Sequence, residues 1–106
     1  MIAVEALMLQ VQLSESEHGM KPLLKCRHDE LKICGVTVTR GIAGYGGSGV
    51  MHNASLVDLS VDLPLVLEFF ELPEQAQRVI ERIADFVEPG HVVSWPITLE
   101  GGRRRC

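Results

Sequence analysis

Residues 5–13, Glu-Ala-Leu-Met-Leu-Gln-Val-Gln-Leu, put Leu7, Leu9, Val11 and Leu13 on one side and Met8, Gln10 and Gln12 on the other. That period of two is a half-buried strand. The polar run Ser14–Gly19 breaks it. From Lys21 to Cys34, Pro22 followed by Leu23, Leu24 and Leu31 at helical spacing predicts a helix, with Gly35 as its C-terminal cap and Arg27 as an intruder in the apolar stripe. Val36–Tyr45 is rich in β-branched residues and reads as a second strand; a glycine-, serine- and asparagine-bearing loop follows, over about 47–58. Leu63–Leu72 is apolar on both faces, the mark of a central strand. Pro73 starts a second helix whose face is Ala76, Val79, Ile80, Ile83, Ala84 and Val87, and Glu88-Pro89-Gly90 ends it. His91–Leu99 is a fourth strand with Val93, Trp95, Ile97 and Leu99 on one face, and Pro96 assigns it to an edge or a bulge.

The order βαββαβ predicts an α+β, ferredoxin-like fold with a four-stranded antiparallel sheet. A chain of 106 residues with 46% apolar content can bury one core, so a single domain over 1–106 is expected. Two helices cover one face of such a sheet. The other face would present apolar residues of the third strand with Met8 and Gln12, a surface suited to self-association, so a homo-oligomer is expected.

Charge narrows the partners. The formal net charge is -4, and the one basic cluster, Arg103-Arg104-Arg105, sits in the tail over 101–106, read as flexible. Such a run is either a solvated end or a phosphate clamp, and no nucleic-acid surface is indicated. The start Met-Ile-Ala-Val-Glu has no signal-peptide pattern, and no apolar run approaches the ~20 residues of a membrane span. A cytoplasmic protein is expected. Cys26, Cys34 and Cys106 form no CxxC pair, and two cysteines eight residues apart on one helix lie about 12 Å apart along its axis. Reduced thiols without structural zinc are expected.

The stretch Arg40-Gly-Ile-Ala-Gly-Tyr-Gly-Gly-Ser-Gly contains a literal G-x-G-x-x-G at Gly44, Gly46 and Gly49. A dinucleotide fingerprint also needs a helix opening directly after the glycines, and 50–58 has no helical face. A P-loop needs Gly-Lys-Ser/Thr, which does not follow. What remains is a glycine-rich strand end whose N–H groups could form an anion nest. Spacing alone favours an ordinary hairpin connection.

The run Gly35-Val-Thr-Val-Thr-Arg-Gly-Ile-Ala-Gly-Tyr-Gly46, then Met51-His52, then Ser60-Val-Asp-Leu-Pro64, resembles the PII-like family catalogued as domain of unknown function one-ninety. More distantly it is similar to PII signalling proteins, which are ferredoxin-like trimers. The resemblance implies an adenine nucleotide in clefts between subunits of a homotrimer and a mobile loop that contacts a protein partner. Membrane transporters, including small fluoride channels, are partner types associated with such families. Carried over by motif, the cleft would use Gly35, Val36 and Thr37 at the start of the second strand and Gly44, Tyr45 and Gly46 at its end. Arg40 and His52 would meet phosphate, with a salt bridge inside the trimer as the equal alternative for Arg40. The glycine- and lysine-rich phosphate loop of PII proteins is replaced by Glu88-Pro89-Gly90-His91, leaving Gly90 as its counterpart and favouring AMP or ADP over a triphosphate.

Other constellations are thin. His18, His28, His52 and His91 make no HxH or HxxxH pair, Cys34 has no paired histidine, and Glu68 is one carboxylate without a partner. Trp95 reads as core or a contact between subunits. No enzyme and no required cofactor are expected: the reading is a nucleotide-sensing regulator. The alternatives are a CutA-like metal-binding trimer, or a small hydrolase using His52 and Glu68 from different chains.

Overall fold

The computed structural model describes residues 2–14, 33–45, 52–53 and 63–103. Its strands are β1 (Ala3–Ser14), β2 (Thr37–Arg40), β3 (Ala43–Gly44), β4 (His52–Asn53), β5 (Pro64–Glu71) and β6 (Val92–Glu100), with helix α1 (Pro73–Ile83) between β5 and β6. Four of them form one sheet in the order β2-β5-β1-β6, antiparallel at each junction. This is the strand order and direction of the ferredoxin-like fold, with the doubly apolar β5 in the interior. Pro96 is accommodated because β6 is an edge strand, where a missing N–H leaves no neighbouring carbonyl unpaired on the open side.

Register sorts the side chains. Leu9, Val11 and Leu13 from β1 meet Leu65, Leu67 and Phe69 from β5 under Ala76, Val79 and Ile83 of α1, closed by Val87. At about 1.5–3 kcal/mol for each fully buried large aliphatic side chain, this cluster is the main source of stability among the described residues. Helix α1 begins without a side-chain cap at Leu72; Pro73 occupies its first turn, where an N–H would have no partner anyway, and the Ala76 N–H donates to the Leu72 carbonyl at 2.8 Å. Glu74 in the first turn and Arg82 in the last complement the helix dipole.

The opposite face of the sheet is read directly from the pairing. Thr37 faces Glu68, Glu68 faces Gln10, and Gln10 faces Val93, giving one row across four strands. The next row along β1 and β6 pairs Met8 with Trp95, and beyond it Ala6 with Ile97 and Val4 with Leu99. The apolar side of β6 therefore lies away from α1. Val93 and Trp95 are exposed there.

Four expectations need correction. The second strand does not run unbroken from Val36 to Tyr45: it stops at Arg40 and resumes as β3. It ends where its partner β5 begins: the Gly41 N–H donates to the Pro64 carbonyl at 2.7 Å, and the approach is close enough that an added Cβ would lie 2.6 Å from Pro64 Cγ. Part of the expected loop over 47–58 is a strand, because His52–Asn53 pairs with Ala43–Gly44. Ala84 belongs to the apolar stripe by spacing but is exposed, as α1 has turned out of its regular path at this C-cap. Finally, Cys34 is disulfide-bonded, not reduced. The axial-spacing argument against pairing does not hold there, because Ile33 and Cys34 are not helical. The rest of the helix predicted over 21–34, together with Gly46, Arg104 and Arg105, lies outside the described residues. Among those residues, no helix is long and apolar enough to cross a membrane.

Candidate functional site

The start of β2 is held by the neighbouring central strand. The backbone N–H of Cys34 donates to Glu71 Oε1 at 3.1 Å, and this fixes where Gly35 and Val36 leave for the sheet. Thr37 then pairs with Glu68. Together Gly35, Val36 and Thr37 line a cavity of about 260 Å³ with Met8, Glu68, Phe69 and Phe70. It lies at an exposed edge, since all four residues of β2 are exposed. Glycine at position 35 leaves the backbone accessible, the Thr37 hydroxyl can donate or accept, and Met8 and Phe70, directly paired, give an apolar wall.

The carboxylate of Glu68 is fixed in this setting. Gln10 Nε2 donates to Glu68 Oε1 at 2.8 Å, and Gln12 Nε2 donates to Gln10 Oε1 at 3.0 Å. This chain of two glutamines leading to a half-buried carboxylate cannot be read from sequence, where Gln10 and Gln12 are only the polar side of a strand. It needs the β1–β5 register. The Glu71 anchor was also missed, for the same reason: a glutamate at a strand end gives no sign of which distant N–H it meets.

The other predicted residues are placed elsewhere. Arg40 pairs with Leu65, so by strand alternation it lies on the α1 side of the sheet, opposite Thr37. Gly44 stands opposite His52 across the β3–β4 pair, and Tyr45 is exposed just beyond it. Gly90, with φ of 87°, shapes the turn before β6. Next to it, His91 Nδ1 lies 2.9 Å from the Gln12 carbonyl, and the Gln12 N–H donates to the His91 carbonyl at 2.9 Å. This latch fastens Gly90 to the β6 edge, separated from β2 by the two strands β5 and β1. One chain therefore gathers Gly35, Val36 and Thr37, and separately Gly44 with His52; Gly90 stands apart from both. Among the described residues, no group of three His, Cys, Asp or Glu could hold a metal ion. The cavity combines an acceptor, a hydroxyl, open backbone and apolar walls, which equips it to bind a small amphipathic molecule.

Known proteins agree with this architecture. The DUF190 family, described as "Uncharacterized ACR", matches residues 6–99. A UPF0166 protein of Methanocaldococcus jannaschii is 34% identical over 74 residues, covering 70% of this chain and 67% of its own length. Among solved structures, the nitrogen regulatory PII-like protein CPII of Thiomonas intermedia K12, bound to ADP, AMP and bicarbonate, superposes with a TM-score of 0.61 at 18% identity, covering 96% of this chain and all (100%) of that one. CutA1 of Oryza sativa superposes with a TM-score of 0.59 at 16% identity, covering 95% of this chain and 85% of that one. These likenesses carry the fold, and the family match carries membership: the chain belongs to the DUF190 family and has the PII-like, ferredoxin-like fold.

Proposed function

We propose that the protein is a PII-like signalling protein that binds an adenine nucleotide, AMP or ADP in preference to ATP, in clefts between the subunits of a homotrimer. The observation that carries this reading is the cavity of Gly35, Val36 and Thr37 at an exposed sheet edge, in a fold shared with a protein that holds ADP and AMP. Separation of the predicted residues within one chain is what a composite site requires: Gly90 on the β6 edge of one subunit meets the β2 edge of the next. The apolar face of Val93 and Trp95 supplies the contact between subunits. Occupancy is transmitted through the segment of residues 47–58, which includes β4, to a protein partner, for which a membrane transporter or ion channel is the working candidate. The protein acts in the cytoplasm as a regulator, without catalysis and without a required cofactor.

Calorimetric titration with AMP, ADP and ATP tests the ligand, and light scattering tests the assembly. Binding of AMP or ADP by a trimer is the expected result. The fold shared with CutA1 makes a metal-binding trimer the second reading. Tight zinc or copper binding with no nucleotide bound would replace the first reading by the second, and nucleotide turnover over hours would restore the hydrolase.

A further inference from the structure

We infer that Glu68, aimed by Gln10, is the group that recognises the nucleoside half of the ligand, by accepting a hydrogen bond from a ribose hydroxyl or from the exocyclic amino group of the base. The inference rests on the nucleotide-binding reading above and adds to it a recognition residue and a direction of binding.

Three observations carry it. First, among the described residues that line the cavity, Met8, Gly35, Val36, Thr37, Glu68, Phe69 and Phe70, Glu68 carries the charge. A carboxylate repels phosphate and accepts from neutral donors, so the phosphate end of the ligand is directed away from the Glu68 floor. Second, Glu68 is preorganised. One oxygen, Oε1, takes the amide of Gln10 at 2.8 Å, while Gln10 is itself held by Gln12 at 3.0 Å. A carboxylate has about four lone-pair sites, so this bond positions the group and leaves acceptor capacity for a ligand. Third, the surroundings match a nucleoside: Met8 and Phe70 stand side by side across β1 and β5 as an apolar wall for a base, and Thr37 sits directly opposite Glu68 as a second hydrogen-bonding group. In a site built to pair a donor, ligands that lack the donor leave the acceptor unpaired and are rejected. Gln10 acts through Glu68 and is a positioning residue.

The test is calorimetry on the full chain with AMP, 2′-deoxy-AMP, 3′-deoxy-AMP and inosine monophosphate, in which a carbonyl replaces the amino group. Wild type is compared with Glu68→Gln, which keeps the shape and the contact to Gln10. Replacing a charged acceptor by a neutral one is expected to weaken AMP about tenfold. One analogue should show the same loss with wild type and no further loss with Glu68→Gln, and its identity tells whether a ribose hydroxyl or the amino group is read. Equal AMP affinity of the two proteins overturns the inference and leaves nucleotide binding standing. So does a loss of the same size for AMP and all three analogues, which marks a structural effect. No binding of any nucleotide by wild type overturns both.

Discussion

At Gly41 the chain passes so close to Pro64 that a single methyl group has no room: the added Cβ would lie 2.6 Å from a proline ring carbon, which cannot swing aside. Gly41→Ala is expected to cost about 1–3 kcal/mol through overpacking, measured as a lower denaturant midpoint at an unchanged slope. A midpoint within error of wild type would show that the β2–β3 break is not held by this contact. Position 41 also shows what sequence could and could not deliver. The sequence reads Gly41 as one position inside a continuous strand from Val36 to Tyr45, and its close approach to Pro64, from a distant segment, comes only with the fold. The same limit applied at Glu68. As a lone carboxylate it carried no argument; its meaning comes from Gln10, which reaches it only because β1 and β5 pair in one particular register.

Helix α1 was legible because its apolar spacing is long and regular, and its buried residues Ala76, Val79 and Ile83 are those the pattern named. The end of that stripe separates two positions that sequence treats alike. Ile83→Ala is expected to cost about 2–5 kcal/mol, since Ile83 is 1% exposed in the middle of the core. Ala84→Ser, one residue on and exposed, should stay within about 0.5 kcal/mol of wild type. Thermal or chemical denaturation decides, and equal losses at the two sites would put the helix end in the wrong place. The approach to β2 was illegible for a different reason. Spacing on an assumed helix excluded a disulfide, but Cys34 stands outside helical geometry and is bonded. Reduction by a dithiol is expected to lower stability by about 2–4 kcal/mol, with the melting temperature falling on reduction alone. An unchanged melting temperature, with the bond shown by mass spectrometry to be present before reduction, would mean that the crosslink constrains nothing that folding must order.

For the molecule as a whole, the telling feature is which side of β6 is apolar. The sequence placed Val93, Trp95, Ile97 and Leu99 together but could not say whether they faced the helices. The β1–β6 register puts them opposite Gln10, Met8, Ala6 and Val4, away from α1. Trp95→Glu is therefore expected to leave the circular dichroism spectrum of the fold intact and to convert the proposed trimer to a single chain in light scattering. An unchanged trimer would move the subunit contact to another surface. One further consequence follows from the position of β1. Like β5 it has partners on both sides, joined to β5 and, from Ala3 opposite Glu100 to Val11 opposite Val92, to β6. During synthesis β1 emerges long before residues 92–100 and keeps one edge bare until they have left the ribosome. Pairing between such distant segments slows folding, and a waiting edge can join the wrong neighbour. Nascent chains halted before Val92 are thus the ones that should call most on chaperones and be cut most readily by proteases, with protection arriving in one step as β6 emerges.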